Sequence, residues 1–385
     1  MSLGSFFLDS YRILIFVTVQ LMIAVSNSFL LQRPKRHQPL GPPRRVSILV
    51  PARNEAATIG ACVNSLLGQD YPEFEVIVLN DQSQDRTGTI LAGIASERLQ
   101  VIDGAPVPDD WTGKNWACHQ LAQRARGELM LFTDADTVFQ PYALSAAVAM
   151  LEESNADMLT AIVRNVVPSL GEQITVPFLL WSIMAILPLG IAQIWRRSKA
   201  LVAANGKFLL FSRNAYEMIG GHRAVKEEAA EDLALSRLIK GAGMKWRLID
   251  GTGLAATRMY DGFLSAWRGF SKNFFAIFDY RLLPALFVWF WMLVITYHPL
   301  LTAGSLIIRG EFGAQFWAAV TTVGLSFVIW VITAGKMKLP LTVPFLYPIT
   351  TTVASAIGIT SLFLAVLRKS RWKGRRLPGH RIRLV

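Results

Sequence analysis

Apolar positions fall into two regimes along the chain, long unbroken runs and short runs separated by polar sequence. Ile13 to Leu31 belongs to the first, and a helix of about 20 apolar residues crosses a hydrocarbon layer roughly 30 Å thick. This predicts a membrane anchor over residues 1–32. Basic residues follow the run and no basic cluster precedes it, which favours a retained anchor over a cleaved signal peptide and places the N-terminus outside. A proline-rich, basic linker from Gln32 to Arg45 leads into the second regime. From Val46 to about Ala276, strand-like runs alternate with helical periodicity, the pattern of an α/β domain over 46–276. Val46–Val50, Val76–Leu79, Leu99–Ile102 and Leu129–Phe132 are its strand candidates, each followed by polar or glycine-containing sequence. In open α/β sheets, ligands gather at the carboxyl ends of such strands.

Inside that domain, Ile174 to Trp195 is apolar again, contains Pro177 and Pro188, and ends in Trp195, Arg196 and Arg197. A full crossing would put the two halves of the domain on opposite membrane faces. The segment over 174–195 therefore reads as a helix lying in the membrane interface, with a buried core helix as the alternative. After Arg281, the runs Leu282–Ile308, Phe316–Thr333 and Leu341–Leu367 are each long and apolar enough to enter the bilayer. They predict a membrane region over 282–367 and a basic cytoplasmic tail over 368–385. Lys336 and Lys338 also read as cytoplasmic, which conflicts with a single crossing between them and the tail. Pro344 and Pro348 point to a broken or re-entrant third segment that returns to the face it left.

Composition agrees with two solvents. The 385 residues are 52% hydrophobic and 17% charged, with a mean hydropathy of +0.36, greasier than one soluble domain requires. The net charge of +12 is concentrated beside apolar runs, in Arg33, Lys35, Arg36, Arg44 and Arg45 and in Arg368, Lys369, Arg371, Lys373, Arg375, Arg376, Arg381 and Arg383. That placement favours anionic lipid headgroups over nucleic acid. A multi-pass cell-membrane protein with its α/β domain in the cytoplasm is expected. Two cysteines, Cys62 and Cys118, suggest neither a disulfide framework nor a zinc cluster.

Four polar patches follow the strands in order: Pro51 to Glu55, Asn80 to Asp85, Trp111 to Trp116, and Thr133 to Asp136. Carboxylates accept hydrogen bonds from ribose hydroxyls and base N–H groups, and metal-bound carboxylates hold a diphosphate. Glu55 and Asp81 are placed for a nucleoside. Asp134 and Asp136 lie two apart past an apolar strand, where one or both can coordinate a hard divalent cation, Mg2+ or Mn2+. An Asp-x-Asp pair alone often only caps a helix; the three earlier patches outweigh that reading. Lys114 sits in a Gly-Lys-Asn turn before a helical run, where its ammonium and free amides can meet phosphate, a solvated surface lysine being the alternative. Trp111 and Trp116 read as packing residues. Further on, Asn205-Gly206 precedes a strand-like Lys207–Phe211, and Glu227 to Asp232 opens an amphipathic helix running to Lys240. Glu227 and Glu228 read as surface groups that complement the helix dipole. Asp232 is the exception, a carboxylate able to remove a proton from an acceptor hydroxyl.

These patches in this order resemble the family 2 glycosyltransferases, whose nucleotide-binding fold is termed GT-A; the likeness covers Val46 to about Lys272. It implies a Rossmann-like mixed α/β sheet flanked by N-terminal and C-terminal transmembrane helices. It further implies nucleotide binding by Glu55 and Asp81, metal or diphosphate binding by Asp134 and Asp136, and Asp232 of Glu231-Asp232 as the catalytic base of an inverting, metal-dependent hexosyltransferase. The Trp-Thr-Gly-Lys-Asn-Trp-Ala patch and the flanking apolar runs look most like the branch of ceramide, hopanoid-associated and carotenoid glycosyltransferases, which implies a nucleotide diphosphate sugar and a membrane lipid as partners. The Gln-x-x-Arg-Trp pattern of processive and ceramide enzymes is absent; Trp267 to Asn273 stands in its place, with Arg268 expected to reach the diphosphate or else to serve as an interfacial basic residue. Transfer to polyprenyl phosphate, processive polymer synthesis and an inactive membrane scaffold or lipid transporter are the competing readings.

Overall fold

The computed structural model, which describes residues 9–36, 41–367, 371–373, 375–376 and 381–385, builds the middle of the chain on one eight-stranded sheet. Its strands are β1 (Val46–Ala52), β2 (Phe74–Asn80), β3 (Leu99–Asp103), β4 (Leu129–Phe132), β5 (Thr137–Phe139), β6 (Met158–Asn165), β7 (Leu209–Ser212) and β8 (Trp246–Thr257), in the order β3-β2-β1-β4-β7-β6-β8-β5. β1 runs parallel to β2 and β4, while β7 is antiparallel to β4 and β6, so the sheet is mixed. β1 and β2 are covered on both faces, which is why they read as nearly continuous runs of Val, Ile and Leu. The carboxyl ends of β1, β2 and β4 open onto one edge, and the polar patches stand there.

Helices α1 (Ser10–Leu30), α2 (Gly113–Arg124), α3 (Pro177–Ile186), α4 (Glu231–Gly241), α5 (Gly262–Ser271), α6 (Leu282–Arg309), α7 (Ala314–Met337) and α8 (Tyr347–Val366) accompany the sheet. Among the described residues, four helical stretches are long and apolar enough to cross a membrane: α1, α6, α7 and Val343–Val366. Their outward faces keep Phe29, Phe290, Ile308, Trp317 and Phe363 exposed, an apolar surface that water would penalise and lipid accepts. Arg368 and Lys369 lie outside the described residues.

Two local expectations are revised. The apolar stretch over 174–195 is not one helix. It divides into α3 and Leu189–Ile194 at Leu187, whose backbone is extended because the following Pro188 disfavours the helical region. At 1.5 Å per residue, α3 spans only ~15 Å. Its buried face carries Trp181, stacked on Trp330 of α7 at 5.5 Å, whereas Ile194 and Trp195 at the far end are exposed. The third C-terminal run is also unbroken, because Pro344 and Pro348 fall in the first turns of their helices, where a missing N–H removes no bond. Both ends of this run still meet the α/β domain. Thr342 Oγ1 donates to Gln173 Oε1 at 2.6 Å near its start, and the Phe275 amide donates to Ser361 Oγ at 3.0 Å near its end.

Two buried polar side chains fasten the apolar helices to the sheet. Asn27 of α1 donates to the carbonyls of Met184 (3.0 Å) and Leu187 (2.6 Å) and accepts from the Leu189 amide (3.1 Å), serving the backbone groups that the α3 break leaves open. Asp250 of β8, fully buried, pairs with Arg33 of the linker at 2.9 Å and with Lys336 at the end of α7 at 3.7 Å. Replacing Asn27 with Leu strands those carbonyls and that amide, so Asn27→Leu should cost about 2 kcal/mol of stability. A thermal midpoint in detergent unchanged from wild type would remove Asn27 from this role.

Candidate active site

At the head of the sheet, the loops after β1 and β2 are sewn together. The Asp81 amide donates to the Ala52 carbonyl at 2.7 Å, the Asn54 amide to Ser83 Oγ at 3.0 Å, and the Gln84 amide to Asn54 Oδ1 at 2.8 Å. Asn54 takes a left-handed turn (φ 52°), a conformation asparagine tolerates, which leads directly into Glu55. Arg53 Nη1 donates to the Asp81 carbonyl at 2.6 Å. Glu55 and Asp81 are thereby brought to one wall. Burial raises the pKa of both carboxyls, and nearby cations pull against it. Those cations come from the far end of the chain. Lys373 pairs with Glu55, and Arg375 grips both oxygens of Asp81 at 2.5 and 3.1 Å. The expectation that these two residues serve anionic lipid is thus corrected, since a bidentate carboxylate is the stronger partner.

Beside them lies a network of lysines and carboxylates. Lys114 Nζ, in the first turn of α2, stands 2.7 Å from Asp134 Oδ1 and 2.7 Å from Glu231 Oε1. Lys207 Nζ, just before β7, stands 2.6 and 2.7 Å from the two oxygens of Asp136 and 3.4 Å from Asp134 Oδ2. Thr133 Oγ1 donates to the Lys207 carbonyl at 2.8 Å, locking the end of β4 to that lysine. Burial opposes ionisation of Asp134, but the two ammonium groups prevail and hold its pKa well below the usual carboxylate range. In return, Asp134 and Glu231 lift Lys114 well above an ordinary lysine despite its burial, and Asp134 and Asp136 lift Lys207.

Asp232 behaves differently. It begins α4 and accepts from the Gly206 amide at 2.9 Å and the Leu233 amide at 2.8 Å. Burial, reinforced by the adjacent Glu231 charge, pushes its pKa up to about 6 against the opposing pull of Lys114 and the two amides. A Cβ at Gly206 would lie 3.2 Å from Lys114 Nζ, so the glycine lets that ammonium sit close to the chain here.

A cavity of about 790 Å3 joins these groups. Glu55, Asp81, Lys114, Asp134, Asp136 and Asp232 all line it. Its other end is walled by Leu179, Ile183 and Ile186 of α3 and Val288 and Met292 of α6, helices of the apolar layer. Arg268 does not join the lining; it points outward from α5, whose inward positions are Ala266 and Phe270. Lys272, one residue past that helix, lines the cavity instead, and burial together with the Lys114 charge lowers its pKa to about 8. Trp111 and Trp116 lie outside the lining and pack on each other at 5.1 Å and on His119. The patch holding them positions its neighbours. Asn115 Nδ2 donates to the carbonyls of Val225 (2.7 Å) and Glu228 (3.0 Å), fixing the loop that delivers Glu231 and Asp232. Lys207, Glu231, Arg53 and Lys272 are site residues that sequence reasoning does not single out. The available signal for Lys207 is a charged residue directly abutting an apolar strand.

Strand order, strand-end carboxylates and flanking apolar helices define a GT-A architecture. A mannosyltransferase from Pyrobaculum calidifontis shares this fold with a TM-score of 0.51 at 17% identity, over 92% of this chain and 98% of that one. Residues 47–216 match the profile of glycosyl transferase family 2. It is similar to 4,4'-diaponeurosporenoate glycosyltransferases from two strains of Staphylococcus aureus, at 26% and 25% identity over 233 residues. Those alignments span 60% of this chain and 60% of each relative.

Lys114 is the shared cation of two enclosed carboxylates. Lys114→Ala should therefore cost about 3 kcal/mol at pH 7 by taking the close cation from Glu231 and leaving Asp134 only the longer contact to Lys207. Chemical denaturation at pH 7 measures it, and a variant as stable as wild type contradicts the network.

Proposed function

We propose that this chain is an inverting glycosyltransferase that moves one sugar from a nucleotide diphosphate sugar to a membrane lipid, working as a multi-pass protein with its α/β domain on the cytoplasmic face. The observation that carries this reading is the single cavity running from the strand-end carboxylates, past Asp232, to the apolar helices. An acceptor whose polar end reaches Asp232 while its apolar body stays among α3 and α6 has a continuous path. The Staphylococcus aureus relatives, named for a carotenoid acid, support an apolar acceptor such as a carotenoid, hopanoid or sphingolipid-like molecule.

Glu55 and Asp81 accept hydrogen bonds from the nucleoside. Asp232 takes the proton of the acceptor hydroxyl as its oxygen attacks the anomeric carbon; the new C–O bond forms as the bond to the diphosphate breaks, and the nucleoside diphosphate leaves with that electron pair. One base and one displacement invert the anomeric configuration. Enclosure in the apolar layer keeps water from competing for the sugar.

The residues that would hold a divalent cation are Asp134 and Asp136. Among the described residues, no group of three or more His, Cys, Asp or Glu side chains is placed to hold a metal, so these two carboxylates are what the chain itself would offer. The donor set fits such an ion: hard carboxylate oxygens already attract the Lys207 ammonium, and with Asp232 ionised four carboxylates face two lysines. When bound, the cation supplies positive charge to the leaving diphosphate. The Pyrobaculum calidifontis mannosyltransferase was solved with GDP-Man and Mn2+.

Three results are expected from purified protein in lipid nanodiscs. Asp136→Ala and Asp232→Asn should each reduce sugar transfer by roughly 100-fold or more, read by mass spectrometry of the lipid product; full activity in either refutes its assignment. In the wild type, kcat/KM should fall about tenfold per pH unit below about 6, because a base must be deprotonated and Asp232 has its pKa near 6. Glu231→Gln removes a neighbouring negative charge and frees Lys114 toward Asp232, so it should move that acid limb to lower pH; a limb that does not move points to another group.

A further inference from the structure

The nucleoside end of the cavity is filled by the chain itself. Strands β9 (Arg371–Trp372) and β10 (Arg375–Arg376) form a short antiparallel hairpin. Lys373 at its turn donates to the Arg53 carbonyl at 2.6 Å as well as to Glu55, and Arg53 Nε donates back to the Lys373 carbonyl at 3.4 Å. Arg375 holds Asp81 through two bonds and donates to Gln82 Oε1 at 2.9 Å. The Asp81 side chain is only 3% exposed, and both its oxygens are engaged. Beyond the hairpin the chain is tied down again: the Leu282 amide donates to the Arg383 carbonyl at 2.8 Å, and the Arg383 amide to the Tyr280 carbonyl at 3.0 Å. The described parts of the tail thus form a strap tied to the strand-end loops and to the start of α6, with Lys373 and Arg375 seated on the nucleoside carboxylates.

We infer that the C-terminal strap is a self-inhibitory plug of the donor site, in which Lys373 and Arg375 hold Glu55 and Asp81 until a nucleoside diphosphate displaces them. The inference rests on the reading of those two carboxylates as nucleoside ligands. With the guanidinium across both its oxygens, the Asp81 side chain keeps only 3% of its surface, too little for a base N–H to reach it, so plug and nucleoside exclude each other. The pairing is charge-assisted and poorly screened, which favours the closed form. Apparent donor affinity is then reduced by the fraction of molecules with the strap open, and a strap open one-tenth of the time raises the apparent Kd about tenfold.

Calorimetric titration of the full chain in detergent with UDP, GDP, ADP and CDP tests this. For whichever nucleotide binds, the double variant Lys373→Ala/Arg375→Ala should bind roughly tenfold more tightly than wild type, although it has lost two positive charges that an anion would otherwise welcome. Arg196→Ala/Arg197→Ala, with the same loss of charge away from the hairpin, should show no such gain. Equal or weaker binding by the tail variant overturns the plug and makes the strap neutral or part of the donor site. In the wild type, saturating nucleotide should speed tryptic cleavage after Lys373 and Arg375; slower or unchanged cleavage overturns the plug as well. Asp81→Ala in the tail-variant background tests the underlying reading by itself: it should weaken nucleotide binding. Unaltered affinity there, or binding of none of the four nucleotides by any variant, removes the donor reading and the plug with it.

Discussion

The enclosed lysine–carboxylate network is the constraint around which the site is arranged. Asp134, Asp136, Glu231 and Asp232 crowd one wall, and two unit charges 4 Å apart interact by about 4 kcal/mol at an effective dielectric near 20. Without Lys114 and Lys207, such groups would protonate or drive the wall apart. Each lysine therefore has to arrive from a different element, Lys114 from the first turn of α2 and Lys207 from the approach to β7, and both must meet carboxylates on β4's loop and α4. The same network separates two roles. Asp134, closely paired, stays ionised, while Asp232, buried beside Glu231, has a raised pKa despite Lys114 and two amides.

The second constraint is that the site faces two solvents. Its carboxylate end is built from backbone-sewn loops at the head of a sheet; its other end is walled by apolar helices. Joining them rigidly needs polar contacts within the greasy layer, and Asn27 and Asp250 provide these. Asn27 serves backbone groups exposed by the break before Pro188, and Asp250 draws the linker and the end of α7 to one strand. An interior this apolar makes each such contact expensive to break.

Much of the fold is legible along the chain, because the relevant signals are local. The strands β1 to β4 announce themselves through short apolar runs, and the carboxylates after them through position alone. The expectations that the structure overturns share a cause as well. Arg268 takes its expected role from its place in a pattern, but on a 3.6-residue period Ala266 and Phe270 share one face and Arg268 lies across the helix from them. Pro344 and Pro348 suggest a break, yet at a helix start proline costs no bond. Composition directs the basic tail to lipid, and composition counts charges without saying what they touch.

The sequence by itself determined the alternation of strands and helices, the four apolar stretches long enough for a bilayer, and the acidic groups at strand ends, since periodicity and turn chemistry act over a few residues. Only the tertiary structure decided which cation meets which carboxylate. Lys207 and Asp136 are 71 residues apart, and Arg375 and Asp81 are 294 apart. Electrostatic pairing depends on distance in space and on exclusion of water, and neither is encoded in the spacing of charges along a chain.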